Sequence, residues 1–323
     1  MKYFIYGYYG SGNFGDELML EGLINKLGKN NEFIVCSNKY NIEYKNVEYY
    51  FLHKLLSNQN KTKINRFVNL LIDLFKITNE VDELYIGGGT LFNNNPSSMF
   101  VMVIISVLAK VFRKKLNIIS VGSEKLSKLN KFLLSMIIYF ADSIELRDSF
   151  SLSYIKKGSF IEDLAISMLK KQNFTKEQNK TIIVPALFSY DNFEDKKKNY
   201  VVFIKKHNLT NIILLSSLNK GANSDLQLCE EIAKEVNCQV IKLINSNTLK
   251  ELNFTGTMIT ERYHGAILGC FLGCEIILVG TSSKINTLGK ELEINVFSRL
   301  DNIDFLSYRK PKISGILRNE IQI

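Results

Sequence analysis

Three histidines occur in the 323-residue chain, and one of them, His264, stands in the run Thr260-Glu261-Arg262-Tyr263-His264-Gly265-Ala266. A short apolar stretch ending at Ile259 leads into this run, and a Gly/Ala-rich stretch of helical character follows it. An imidazole beside a guanidinium at a strand-to-helix turn can move a proton and hold an anion. The same placement recurs twice: Lys284 follows the apolar run Glu275–Val279, and Arg147 follows Ser143–Leu146. Guanidinium groups grip carboxylate or phosphate with two parallel hydrogen bonds, and lysine adds a point charge. Arg147, Arg262 and Lys284 are therefore expected to bind an anionic ligand, with His264 as the proton donor among them. Cations lower a histidine pKa and a carboxylate raises it; Glu261 is too near in sequence to be assigned the second part. Each cation alone reads more readily as a surface or helix-end charge, and the coincidence of all three with His264 carries the functional reading. His53 and His207, in polar or charged surroundings, read as surface residues.

A second group lies near the start. Gly10-Ser11-Gly12-Asn13-Phe14-Gly15 is a literal G-x-G-x-x-G between a predicted strand and a predicted helix, the arrangement of a dinucleotide fingerprint. Two features oppose that reading. Asp16 and Glu17 occupy the first turn of the helix, where a pyrophosphate needs positive potential. The second predicted strand, Phe33–Cys36, ends in Ser37-Asn38 with no carboxylate placed for a ribose. Asp16 and Glu17 suit sugar hydroxyls or a general base instead, and a simple favourable interaction with the helix dipole explains them as well.

Positioning these residues requires strands that end at one edge. Apolar runs alternate with amphipathic ones in the first half, the pattern of a parallel α/β sheet. Predicted strands are Tyr3–Tyr8, Phe33–Cys36, Val47–Phe51, Glu83–Ile86, Asn117–Val121 and Ser143–Leu146, with helices at Asp16–Leu27, Lys63–Thr78, Ser98–Phe112 and Leu126–Phe140. Gly-rich turns follow several of them, including Gly87-Gly88-Gly89, at the edge where open α/β sheets bind ligands. The polar run Lys170–Lys180 breaks the pattern. Alternation then restarts, with strands at Thr181–Leu187, Asn211–Ser216, Gln239–Leu243, Thr257–Thr260, Glu275–Val279 and Ile294–Phe297. Helices fall near Asp225–Val236, His264–Phe271 and Ile285–Leu292. The expected architecture is two Rossmann-like α/β parallel-sheet domains facing a cleft, 1–170 and 181–323, joined by a linker at 171–180. The first is read as the acceptor side and the second as the donor side, with the terminal segment available to pack back on the first.

Composition narrows the partners. The chain is 46% hydrophobic and 23% charged, which is ordinary for a globular protein. A net charge of +9 favours anionic partners. The lysines are scattered, however, and Arg113-Lys114-Lys115 and Lys196-Lys197-Lys198 read as solvated loop or helix-end charge, so no nucleic-acid surface is expected. Five dispersed cysteines without a CxxC pair fit a reducing, cytoplasmic setting and no metal site. Cys270 and Cys274 are spaced to share a helix face, where buried thiols are expected. The chain begins on a strand-like run, and no signal peptide is visible. The apolar stretch Met99–Ala109 falls short of the ~20 residues a spanning helix needs. Its basic flank leaves open a peripheral contact with anionic lipid at the inner face of the membrane.

Taken together, these segments resemble the polysaccharide pyruvyl transferase family. The resemblance rests on Gly7–Glu17, Gly87-Gly88-Gly89, Leu146-Arg147-Asp148 with Ser151, Asp163-Leu164-Ala165, Arg262-Tyr263-His264 and Lys284. Tyr263 stands where the family more usually has leucine or phenylalanine, and Ile183–Leu187 lacks an arginine often found there. The resemblance implies a GT-B-like enzyme that transfers a pyruvyl group from phosphoenolpyruvate, as a ketal, to a sugar of a cell-surface polysaccharide or lipid-linked precursor. Phosphoenolpyruvate would be a co-substrate, and no other cofactor is implied. It further implies donor binding by Arg147, Arg262 and Lys284, catalysis by His264 with Arg262, and acceptor handling by Gly12, Asn13, Asp16, Glu17, Gly88 and Gly89. The alternatives are a GT-B glycosyltransferase using a nucleotide sugar and a non-catalytic carbohydrate-binding protein of the same fold.

Overall fold

The computed structural model describes residues 1–37, 44–51, 63–219, 224–303 and 311–312. His53 and the terminal segment 313–323 lie outside the described residues. The chain forms two compact units, Met1–Ser11 with Met19–Leu164 and Gly12–Leu18 with Ala165–Ile323.

In the first unit the elements are β1 (Lys2–Tyr6), α1 (Phe14–Leu27, which begins in the other unit), β2 (Glu32–Ser37), β3 (Val47–Phe51), α2 (Lys63–Glu80), β4 (Glu83–Gly87) and α3 (Pro96–Val111). There follow β5 (Lys115–Val121), α4 (Lys128–Phe140), β6 (Ser143–Leu146), α5 (Ser149–Ile155) and β7 (Ser159–Phe160). Its seven strands pair in parallel in the order β3-β2-β1-β4-β5-β6-β7. Strands covered on both faces read as continuous apolar runs, as Phe4-Ile5 and Ile118-Ile119 do here. α3 starts where Asn95 accepts hydrogen bonds from the Ser97 and Ser98 N–H groups, with Pro96 at the first helical position.

α6 (Leu164–Leu169) opens the second run of elements, followed by β8 (Gln178–Val184), α7 (Phe193–Lys206), β9 (Ile212–Ser216), α8 (Asp225–Val236) and β10 (Gln239–Lys242). Then come β11 (Phe254–Thr260), α9 (Tyr263–Leu272), β12 (Glu275–Val279), α10 (Ser283–Leu292) and β13 (Val296–Phe297). These strands are also parallel, in the order β10-β9-β8-β11-β12-β13. The strand order reverses at β1/β4 in one sheet and at β8/β11 in the other, the points at which such sheets open a crevice.

Several expectations change. The division falls at Leu164/Ala165 rather than within a linker at 171–180, whose last residues are already strand β8 paired to β11. α7 was not legible because its first turns, Phe193–Lys198, are mostly charged. Its buried face, Tyr200, Val201, Phe203 and Ile204, is confined to the second half. Lys196 and Lys197 lie near the start of α7, the helix-end alternative, but with side chains only 16% and 20% exposed and paired to carboxylates they do not form a solvated face. His207 caps α7 and packs against Phe203 at a ring distance of 4.9 Å, so it is half-buried rather than a surface residue. Cys274 lies beyond the left-handed Gly273 that ends α9 and so shares no helix face with Cys270. Both thiols are buried, which pushes each up to about 12. No helix among the described residues is long and apolar enough to cross a membrane.

Candidate active site

The second unit gathers Gly12, Asn13, Asp16 and Glu17 with Arg262, His264 and Lys284, whereas Arg147, Gly88 and Gly89 belong to the first. β11 ends at Thr260, whose hydroxyl accepts the Arg262 N–H at 3.0 Å and turns the chain into α9. His264 is the second residue of that helix and only 6% exposed. Its ring lies directly against Gly15, where an added Cβ would stand within 1.8 Å of the imidazole Nδ1. The glycine loop is fastened there from its own side. Phe14 N–H donates to the Ser217 carbonyl at 2.8 Å, and Asn219 N–H donates to the Gly12 carbonyl at 3.1 Å, beyond the carboxyl end of β9. Asn13 accepts the Gly15 N–H on its side chain and the Glu17 N–H on its carbonyl, which starts α1. The third glycine of the motif thus makes room for a histidine ring. Asp16 and Glu17 follow in the first helical turn and are buried, 8% and 2% exposed.

Tyr263 joins this cluster, a role the sequence did not announce. Its ring meets His264 edge-on at 5.2 Å, and the Lys284 Nζ stands 4.7 Å from its centroid. Lys284 itself is held in the first turn of α10, which Ser282 caps by accepting the Ile285 N–H. A cation over an aromatic face is attracted by the ring quadrupole. Lys284, Tyr263, His264 and Gly15 therefore form a continuous series of contacts.

Arg262 is anchored more tightly than expected. Its Nε donates to Asp225 at 2.8 Å and its Nη2 to the other oxygen of the same carboxylate, while the guanidinium covers the Phe188 ring at 5.3 Å. Asp225 is fully buried and also accepts the Leu187 and Leu218 N–H groups. One edge of the guanidinium is therefore committed to tying the loops after β8 and β9 to α9. In the sequence Asp225 carries no sign of this role, because a carboxylate at a helix start normally reads as a dipole partner. Glu261 turns to other groups: its oxygens accept Ala186 N–H at 3.1 Å and Lys196 Nζ at 2.9 Å, and the Tyr200 hydroxyl bonds it as well. Burial, followed by Glu261, pushes the Tyr200 phenol well up. The Lys196–Glu261 pair borders a cavity of about 730 Å³ whose lining includes Phe188, Tyr190, Asp191, Ser282 and Arg299. Carboxylates, cations and loop hydroxyls in one cavity suit a hydroxyl-rich ligand.

In the first unit, Arg147 follows β6 and is 3% exposed. Its Nη1 donates to Asp163 at 3.3 Å and its Nη2 to the Thr90 hydroxyl at 3.0 Å, with Asp148 at 3.8 Å from Nε. Asp148 caps α5 through the Ser151 N–H, and the Ser151 hydroxyl accepts the Ser123 N–H. The residues of the Leu146-Arg147-Asp148 and Asp163 segments thus assemble around a single guanidinium. The Gly87-Gly88-Gly89 turn also has a packing role. A Cβ on Gly88 would meet the fully buried Tyr9 hydroxyl at 2.6 Å. Gly88 N–H donates to the Ile119 carbonyl and Gly89 N–H to the Met19 sulfur.

Among the described residues no group of three or more His, Cys, Asp or Glu side chains could hold a metal ion. The family model described as polysaccharide pyruvyl transferase matches residues 13–283, which takes in every expected site residue but Gly12 and Lys284. No curated protein matches the chain by sequence. Solved structures match it by fold. The S. aureus MnaA–UDP co-structure is 10% identical with a TM-score of 0.58, over 93% of this chain and 85% of that one. A putative UDP-N-acetylglucosamine 2-epimerase from Listeria monocytogenes gives 11% and 0.56 over the same shares, 93% and 85%. A UDP-glucosyltransferase from Polygonum tinctorium gives 10% and 0.52, over 92% and 84%. Two parallel-sheet α/β units and these matches make this a GT-B fold.

Proposed function

The chain belongs to the polysaccharide pyruvyl transferase family and is a transferase, and from that premise we propose that it builds a pyruvate ketal on a glycan with phosphoenolpyruvate as donor. The observation that carries this reading is the cluster of His264 with Lys284, Tyr263 and Gly15, in which a proton-transfer group sits one aromatic ring away from a cation. Phosphoenolpyruvate brings a carboxylate and a phosphate, so its binding calls for cations. Lys284 and the edge of Arg262 turned away from Asp225 supply them in the second unit.

His264 acts as general acid. Its proton goes to the methylene carbon of phosphoenolpyruvate, which becomes the methyl group, and positive charge develops at the adjacent carbon. A first sugar hydroxyl adds to that carbon and loses its proton. A second hydroxyl then displaces phosphate from the same carbon, closing the ketal. General acid catalysis of this type contributes ~10²–10⁴ in rate. Asp16 and Glu17 orient or deprotonate the attacking hydroxyls, with Gly12 and Asn13 shaping the loop that carries them. The acceptor is a sugar of a cell-surface polysaccharide or its lipid-linked precursor.

Thermal unfolding with added ligands tests the donor. Phosphoenolpyruvate is expected to raise the melting temperature, as any ligand selective for the folded state does, and UDP-sugars are not. A shift with UDP-sugars and none with phosphoenolpyruvate would favour a nucleotide-sugar glycosyltransferase on the same fold.

A further inference from the structure

The first unit carries an apolar face that its own packing leaves uncovered. α2, α3 and α4 follow β3, β4 and β5, and α3 packs against both of the others. α2 has two apolar arcs. Leu70, Leu74 and Ile77 are buried, while Ile64, Phe67, Ile72 and Phe75 are 74%, 40%, 46% and 52% exposed. Ile64 and Ile72, like Phe67 and Phe75, are eight positions apart, and Val68, 44% exposed, lies four from both Ile64 and Ile72, so the exposed set is a stripe along one side of the helix. α3 repeats the pattern with Phe100 and Val111, and α4 with Phe132 and Tyr139. Phe67 meets Phe100 at a ring distance of 6.1 Å, and Phe75 meets Phe112 at 4.6 Å, so the stripes of α2 and α3 join edge to edge. Among the described residues, all exposed large apolar side chains except Met1, Tyr190 and Val202 lie on these three helices. Monomeric proteins scatter such side chains, and their concentration on one face marks an interaction surface.

Charge selects the occupant. Exposed Lys76 and Arg113 stand at or near the carboxyl ends of α2 and α3, and exposed Lys128 and Lys131 at the start of α4. Apolar stripes with cations at their ends match the acyl boundary and headgroups of an anionic bilayer. A second copy of the chain would bring the same cations against themselves. No helix among the described residues is long enough to span, so the contact is peripheral. We propose that the α2–α3–α4 face docks this protein on the surface of an anionic membrane. The proposal rests on the first unit alone and not on the donor or acceptor of the reaction.

Co-sedimentation of the full chain with phosphatidylcholine vesicles, with and without phosphatidylglycerol, tests it. The protein is expected to bind the anionic vesicles at least tenfold more tightly than the neutral ones. Phe132→Ser with Tyr139→Ser, and separately Ile64→Ser with Val111→Ser, should each weaken binding tenfold or more with an unchanged melting temperature, since all four side chains are more than half exposed. Lys128→Glu with Arg113→Glu should abolish the preference for anionic lipid. Absence of vesicle binding, or binding indifferent to all these substitutions, would overturn the proposal. So would a concentration-dependent dimer without lipid that the serine variants dissociate.

Discussion

Gly15 and His264, far apart in sequence, are in direct contact: a Cβ on the glycine would stand 1.8 Å from the imidazole Nδ1. The contact gives the N-terminal glycine motif its purpose in this fold. Gly15 lies in the first turn of α1, next to Gly12 and Phe14, which Ser217 and Asn219 of the same unit hold, and its missing side chain fixes how closely the histidine ring approaches. A change at Gly15 therefore acts on His264 without touching it chemically.

Gly15→Ala should displace the imidazole while the fold survives. Overpacking of this kind costs about 1–3 kcal/mol, so denaturant unfolding should show a modest loss. Phosphate release from phosphoenolpyruvate should fall on the order of 10²-fold, the share a positioned general acid contributes. Full activity in the alanine variant would show that the ring tolerates movement and is not the acid.

The Arg262–Asp225 pair should behave as a structural fastener as well as a ligand site. Removing one partner of a buried ion pair leaves the other uncompensated and costs about 3–5 kcal/mol. Asp225→Ala, remote from any proposed proton transfer, is expected to lose stability on that scale in urea unfolding. Arg262→Lys should lose part of it, because an ammonium cannot replace the two-pronged bond to Asp225. A stability loss for Asp225→Ala under about 1 kcal/mol would show the pair to be incidental.

Lys284 and Tyr263 should be separable by kinetics. Lys284→Met removes the charge and should raise KM for phosphoenolpyruvate strongly. Tyr263→Leu leaves the charge but removes the ring beneath it, a contact worth ~0.5–2 kcal/mol, and should raise KM by less. Equal effects would mean that the ring, not the charge, carries the interaction.

Acid stability offers a check on the first unit. Burial alone would push the Asp142 carboxyl up, but the Leu116 N–H and Lys110 outweigh it and hold the group below the usual carboxylate range. A depressed folded pKa adds stability above the unfolded pKa, ~3.9 for aspartate, and loses it as pH falls through the folded value. Asp142→Asn should therefore lower stability at neutral pH and reduce the difference between neutral and strongly acidic solution. An unchanged pH profile in the variant would remove Asp142 from that dependence.

Much of this architecture could be read from the chain. Apolar runs such as Phe33–Cys36 and Glu275–Val279 are strands, and the cations predicted to follow strands do so at Arg147, Arg262 and Lys284. The missing information was of two physical kinds. Helix α7 hides because its first turns are mostly charged and its buried apolar side starts only at Tyr200. Side-chain partners hide because they are long-range: nothing near Arg262 in sequence points to Asp225, and nothing near Gly15 points to His264. The packing of Gly88 hides for the same reason, since the Tyr9 ring that fills the space beside it comes from a distant turn.

The most direct test of the account is mass spectrometry of the surface glycan made by cells carrying the native chain, the His264→Gln chain, or neither. The native chain should add one pyruvate ketal per acceptor sugar. The His264→Gln chain should be present at normal levels with unchanged thermal stability and leave the glycan as it is in cells lacking the protein. A glycan fully pyruvylated by the His264→Gln chain, or a glycan without a pyruvate ketal in cells carrying the native chain, would contradict it.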